Sequence, residues 1–188
     1  LQRRVGVTVL FVTHDQIEAL SLSDRIGIMN RGKLEQVDSP EEVYYRPSTP
    51  FARDFLGKTF ALIGKVVEST AGQAEVELRG IGETPLRIGT AGVASSNGEV
   101  INPGDEVMVA IRPEQIAIWS SRPDGRANVI PATLEGINFL GDRYEYTVSL
   151  GAESRVLIAP ASQMFRRGET LYLELKAEGI TLWPKSGP

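Results

Sequence analysis

The only histidine of this 188-residue chain, His14, lies in the stretch VLFVTHDQIEAL, where an apolar run meets a short helical pattern. A loop at the end of a strand lets one ring reach a bound phosphate, because the strand and the helix on either side fix its backbone. A lone polar residue at a strand end is, however, ordinarily only a partly exposed surface residue. A functional role for His14 therefore requires other phosphate-binding residues to accompany it.

A second stretch, ARDFLGKT from Ala52 to Thr59, has the loose form of a phosphate-binding loop. In such a loop a glycine-rich backbone surrounds the phosphates with N–H groups, while Lys and Ser or Thr meet phosphate and Mg²⁺. The motif needs the order strand, loop, helix, but this stretch follows a proline that starts a helix, and Asp54 adds a carboxylate. We predict a chance match, and an autonomous NTPase that uses Lys58 is the lesser alternative.

The composition excludes several kinds of site. The chain has no cysteine, which rules out disulfides, thiolate nucleophiles and Cys-ligated zinc, and a single histidine rules out a His-rich metal site. A net charge of -4 argues against nucleic-acid binding, which needs a concentrated basic surface. No window approaches the roughly 18 consecutive apolar residues of a membrane span. We therefore expect a cytoplasmic protein that has no metal site and does not bind nucleic acid.

The first part of the chain is predicted to be α/β. The β-branched run from Val7 to Val12 indicates a buried strand, and Thr13 with Gln16 has the spacing of a capping box at the start of a helix. Asn30-Arg31-Gly32 predicts a hairpin turn between two strands. Two more short helices are predicted, with Ser39 before Pro40 and Thr49 before Pro50 as N-caps.

From about residue 60 onward, short alternating strands separated by turn residues predict a barrel or sandwich. The clearest strands are LIGKVVES, QAEVELR, DEVMVAIR, YEYTVSL, SRVLIAP and TLYLELK, and the region from Gly92 to Pro103 is predicted to be a loop. GDEVMVAIRPEQIAIW, from Gly104, aligns without gaps on GETLYLELKAEGITLW, from Gly168. The repeat predicts two related small barrels packed together, with Trp119 and Trp183 at the ends of equivalent strands as packing residues.

The stretch from Val12 to Gly57 resembles the C-terminal end of the ATPase subunit of an ABC importer, through THDQIEA, DRIGIMNRGKLEQ, SPEEVYYRP and FARDFLG. The resemblance continues through IRPEQIAI and LEGINFLGDRYEYTVSL as a transport-associated OB region. It implies a mainly β fold with two OB-like β-barrels, preceded by an α/β remnant of the nucleotide-binding domain. Residues 1–57 would be that remnant and residues 58–188 the regulatory domain.

In that family the switch-loop histidine contacts the γ-phosphate of ATP held between two ATPase subunits, and the resemblance gives this role to His14. The family's phosphate loop, Q-loop, signature sequence and acidic catalytic strand would lie N-terminal to Leu1. We therefore expect a C-terminal fragment that neither binds ATP tightly nor hydrolyses it by itself. ATP and Mg²⁺ would be cofactors of the full-length protein only.

The resemblance also implies the partners. These are a second copy of the subunit, the transmembrane permease subunits and, indirectly, a solute-binding protein, with the ATPase on the inner face of the cell membrane. FLGDRYEY resembles polyamine and ferric-iron importers most, and sugar, sulfate and phosphonate import remain alternatives. Three functions are kept apart: the transporter ATPase, the autonomous NTPase, and a non-catalytic OB-fold binding or assembly module.

Overall fold

The computed structural model describes residues 6–70, 73–81, 86–88 and 100–185, with residues 86–88 described by their backbone alone. A small helical part with one hairpin precedes two five-stranded antiparallel sheets. The predicted mainly β fold is confirmed. Within the described ranges, no helix is both long and apolar enough to cross a bilayer.

The N-terminal part is built by local sequence signals. Its elements are α1 (Gln16–Leu22), β1 (Ile26–Asn30), β2 (Lys33–Asp38), α2 (Pro40–Tyr45) and α3 (Pro50–Phe55). Arg31 and Gly32 have φ of 49° and 79°, as a two-residue turn with two positive φ angles requires. The side chains of Ser39 and Thr49 accept hydrogen bonds from the first turns of α2 and α3. The predicted hairpin and both N-caps are confirmed.

Two predictions at the start of the chain are wrong. The run from Val7 to Val12 is not a strand, and its side chains are exposed, with Leu10 at 93%. The physical reason is pairing: within the described residues no other strand lies beside it, and a strand needs a neighbour for its backbone hydrogen bonds. The N-cap of α1 is Asp15 rather than Thr13, because the Asp15 carboxylate accepts from the N–H groups of Ile17 and Glu18.

The remaining strands form the two sheets. They are β3 (Phe60–Thr70), β4 (Gln73–Leu78), β5 (Leu86–Ile88), β6 (Glu106–Ile111), β7 (Ile116–Trp119), β8 (Val129–Phe139), β9 (Arg143–Leu150), β10 (Glu153–Pro160), β11 (Thr170–Leu175) and β12 (Thr181–Pro184). All six strands predicted from the sequence are confirmed. Of the predicted loop from Gly92 to Pro103, residues 92–99 lie outside the described residues, and residues 100–103 form no strand.

The two sheets exchange one strand each. The first has the order β12-β6-β3-β4-β5 and the second the order β10-β9-β8-β11-β7. β7 thus leaves the sheet of its own repeat to pair with β11, while β12 leaves the second repeat to pair with β6. Buried side chains from both sheets form one continuous cluster. The two halves of the repeat therefore share a single core.

The repeat in sequence is also a repeat in structure. Trp183 pairs with Met108 in the first sheet as Trp119 pairs with Tyr172 in the second. At the turns before β6 and β11, the N–H of Gly104 donates to the Val66 carbonyl at 2.8 Å, and the N–H of Gly168 donates to the Leu134 carbonyl at 2.7 Å. Equivalent hydrogen bonds at equivalent positions show that the sheets follow the same plan.

Candidate functional site

His14 lies at a bend immediately before α1, and its side chain is exposed. The residues on both sides of it are held in place. The hydroxyl of Thr13 accepts from the N–H of Asp15 at 2.9 Å and donates to Glu18 at 3.0 Å. Asp15 is the N-cap of α1, while His14 itself has no hydrogen bond to any residue that the structure describes. The backbone of this loop is thus held in place, and the exposed His14 ring can contact a ligand.

The helix that follows His14 is anchored to α3. The Gln16 side chain donates a hydrogen bond to the carbonyl of Phe55, at the last residue of α3. On its inner side, α1 packs through Ala19 and Leu20 on a small core. The buried residues of that core are Ile26, Ile28, Val43, Ala52 and Leu56. Packing and a side-chain hydrogen bond together fix α1 relative to α3.

The segment Gly57-Lys58-Thr59 does not have the geometry of a phosphate-binding loop. It follows α3 and leads into β3, so its order is helix, loop, strand. Its oxygens face a cation: Arg112 Nη1 donates to the carbonyls of Gly57 and Lys58 at 3.3 and 3.2 Å and to the Thr59 hydroxyl at 3.2 Å. A phosphate would need N–H groups there. This geometry weighs against an NTPase site at Lys58, whose ammonium instead pairs with Glu145 at 2.6 Å.

Arg112 is the main contact between the N-terminal part and the sheets. The residue is 5% exposed, and its guanidinium donates from Nε and Nη2 to the carbonyl of Tyr44, at 3.1 and 3.0 Å. It also lies 4.4 Å from the centre of the Tyr44 ring. Tyr44 is in the last turn of α2, where carbonyls lack partners within the helix and favour a nearby cation. One side chain thus satisfies the end of α2 and the segment after α3.

Arg53 makes the reverse contact, from α3 to the sheets. It forms a two-pronged ion pair with Asp54 at 2.7 and 2.8 Å, and its Cζ lies 5.1 Å from the centre of the Trp183 ring. Trp183 is 1% exposed, which confirms its predicted packing role. The same prediction is wrong for Trp119, which is 39% exposed, whereas the Arg53 guanidinium lies over the Trp183 ring.

Burial raises the pKa of Tyr44, and its hydrogen bond to the Glu114 carboxylate at 2.8 Å adds to the rise. A raised pKa in the folded protein means that the neutral phenol contributes stability below the unfolded value of about 10, and that this is lost as the pH rises further. We expect Tyr44→Phe to leave unchanged the number of tyrosines that ionise near pH 10, measured by ultraviolet absorbance. A loss of one such tyrosine would contradict this.

Sequence reasoning did not assign Arg112, Tyr44 or Arg53 to a site. Arginine is seldom fully buried without partners, but its partners here lie on distant parts of the chain. The available signal was the position of Arg112, a charged residue directly after an apolar strand and before a proline. Among the described residues, no group of three or more acidic or histidine side chains could hold a metal ion.

Comparisons with known proteins place this fold. Residues 109–183 match the family model described as the TOBE domain. The structure resembles that of the cytoplasmic molybdate-binding protein ModG, with a TM-score of 0.53 and 14% identity over 65% of this chain and 94% of that chain. At that identity the likeness concerns the fold alone, and it agrees with the predicted OB-like architecture.

Several curated relatives of this chain carry one name, spermidine/putrescine import ATP-binding protein PotA. That of Frankia alni is 32% identical over 98% of this chain and 41% of its own length. That of Nostoc sp. is 37% identical over 80% and 38%, and that of Nitrosomonas eutropha is 34% identical over 98% and 48%. This chain thus spans less than half the length of each. Over nearly its whole length it is similar to these import ATP-binding proteins, and its residues 109–183 match the TOBE domain.

Proposed function

We propose that this chain is the C-terminal part of the ATP-hydrolysing subunit of an ABC importer, and that the imported solute is a polyamine. The observation that carries the proposal is the similarity to spermidine/putrescine import ATP-binding proteins over as much as 98% of the chain. Because this chain spans less than half of those relatives, the nucleotide-binding motifs would be supplied by the preceding part of the protein.

Within that longer protein, His14 would hold the γ-phosphate of ATP. Mg²⁺-ATP supplies the transferable phosphoryl group, and residues outside this chain would bind it. His14 suits its part because its ring is exposed while Thr13, Asp15 and Gln16 fix the backbone around it. A ring N–H held in place before the reaction stabilises charge on the phosphoryl oxygens without a cost of reorganisation.

The β domain, residues 58–188, would serve dimerisation and regulation. Support comes from the end of the β8–β9 hairpin, where Ile137, Phe139 and Leu140 are 45%, 58% and 44% exposed. Apolar side chains grouped in this way favour contact with another protein. The partners would be a second copy of the subunit and the permease subunits, with the assembly on the cytoplasmic face of the membrane.

The test is uptake by the complete system. The full-length protein, with its permease and solute-binding subunits, would be expressed in cells that lack polyamine import. We expect ATP-dependent uptake of labelled spermidine or putrescine, and none of labelled sulfate or maltose. Uptake of another solute would overturn the assignment of a polyamine as the solute, but it would leave the assignment as an importer ATPase intact. Failure of the purified full-length protein to hydrolyse ATP in the presence of its permease would overturn both.

A further inference from the structure

The two tryptophans mark equivalent faces of the two sheets. In the second sheet, Trp119 pairs with Tyr172, and Ala117 pairs with Glu174. These four residues share the outer face, because the residues that alternate with them, Ile118 and Leu173 among them, are in the core. We call this set the Trp119 face. In the first sheet the equivalent positions are Trp183, Met108, Thr181 and Ala110.

The equivalent face of the first sheet shows what such a surface binds. Tyr44 and Tyr45 of α2 and Arg53 of α3 line one small space together with Ala110 and Thr181. The guanidinium of Arg53 lies over the Trp183 ring. The counter-ion of Arg53 is Asp54, on the same helix as the arginine itself. The small side chain of Ala110 is 1% exposed. In this part of the fold, therefore, a tryptophan at the end of the sheet receives an arginine from a short helix.

The Trp119 face has the indole and also its own counter-ion. Glu174 stands at the position of Ala110, is 8% exposed, and accepts from Trp119 Nε1 at 3.1 Å. No cation of the described residues lies over the Trp119 ring. Asn128 Oδ1, in the residue before the Val129–Glu174 pair, is a buried acceptor without a hydrogen bond in the described structure. The Glu174 carboxylate and Asn128 Oδ1 are thus buried acceptors close to an aromatic ring that is 39% exposed.

We propose that the Trp119 face is a docking surface for a partner protein that presents an arginine, as α3 presents Arg53 to Trp183. A guanidinium fits better than an ammonium, because it is planar, stacks on indole and offers paired donors to a carboxylate. The carboxylate that the first sheet obtains from Asp54 is built into the second sheet as Glu174. The partner's arginine therefore needs no acid of its own.

One residue of this chain competes for the same carboxylate. Arg126 Nη1 lies 3.4 Å from Glu174 Oε1, and the Arg126 side chain is 57% exposed. A single 3.4 Å contact from an arginine that is itself 57% exposed contributes little, so an incoming guanidinium can replace Arg126. Arg126 keeps Glu174 neutralised until the partner binds, and the surface is therefore stable when free.

The test uses the 188-residue chain labelled with ¹⁵N and the two indole N–H signals, assigned with Trp119→Phe. N-acetyl-arginine amide is titrated in, with N-acetyl-citrulline amide as the uncharged probe of nearly the same shape. We expect a saturable shift of the Trp119 signal with arginine alone, and no shift of the buried Trp183 signal. Glu174→Gln, which still accepts from the indole, should weaken binding by about tenfold. Arg126→Gln should tighten it by roughly threefold.

Any of the following results would overturn the proposal. Equal shifts with arginine and citrulline would show that charge is irrelevant, and an equal response to N-acetyl-lysine amide would remove the preference for guanidinium. A Trp119 signal that moves with protein concentration in the absence of any probe would identify a second copy as the occupant. The absence of a saturable shift at Trp119, in a chain whose Trp183 signal shows that it is folded, would exclude an arginine site.

Discussion

His14→Ala in the full-length protein is expected to lower the rate of ATP hydrolysis by about 10²–10³-fold while ATP binding changes little. The expected loss is large because the ring would contact phosphate where charge develops in the transition state. Binding should persist because most of the contacts with ATP would come from other residues. Phosphate release gives kcat, and the fluorescence of a labelled nucleotide gives the affinity.

Lys58→Ala is the matched control for this prediction. Lys58 belongs to the only stretch that imitates a phosphate-binding loop, yet its ammonium pairs with Glu145 and the surrounding carbonyls face Arg112. We expect full ATPase activity in this variant. Normal hydrolysis by His14→Ala would refute the role proposed for the histidine, and loss of nucleotide binding by Lys58→Ala would revive the alternative of an NTPase site at Lys58.

The elements that sequence analysis predicted well are those set by their own residues. Ser39 before Pro40 caps α2 because a side-chain oxygen and a fixed φ act within one turn. Arg31 and Gly32 form the hairpin turn for the same local reason. The run from Val7 to Val12 fails as a prediction because an apolar, β-branched sequence becomes a strand only where another strand pairs with it. The confirmed elements depend on neighbouring residues in the sequence, whereas a strand depends on a second strand that pairs with it.

The exchange of β7 and β12 shows a second limit of sequence reasoning. The repeat identifies the strands and their order, and alternation identifies their inner faces. Either sheet, however, can satisfy the hydrogen bonds and the apolar side chains of β7, because the two repeats are alike. The short 3₁₀ turns Pro113–Gln115 and Ala177–Gly179 carry the chain from one sheet to the other, and neither pairing can be read from the strands alone.

The residues of the candidate site also fall into those that sequence analysis found and those that it missed. Family resemblance singled out His14, since the residues around it form a contiguous motif. The contact between Arg112 and Tyr44 joins residues 68 positions apart, and nothing in either local sequence specifies the other. The sequence reveals a charged residue at the end of an apolar strand, but the carbonyls that it satisfies are defined only once α2, α3 and β6 have packed.

Arg112→Met is the second large effect that we expect, and it concerns stability. Methionine keeps an unbranched apolar side chain but loses every donor. The carbonyls of Tyr44, Gly57 and Lys58 and the Thr59 hydroxyl would lose hydrogen bonds from one buried cation. Removing a buried, charged donor from partners that stay in place costs about 3–5 kcal/mol. Urea denaturation of the 188-residue chain, followed by circular dichroism, measures the loss.

The repeat provides the matched control, because Lys176 occupies the position of Arg112 in the second copy and is exposed. Lys176→Met should change the free energy of unfolding by less than about 0.5 kcal/mol, as for most surface substitutions. Equal effects of the two variants would contradict the role assigned to Arg112, since Arg112 is buried and contacts α2 and the segment after α3, whereas Lys176 is exposed. Arg112→Lys separates charge from geometry: a lone ammonium cannot replace three nitrogens that donate in different directions, so most of the loss should remain.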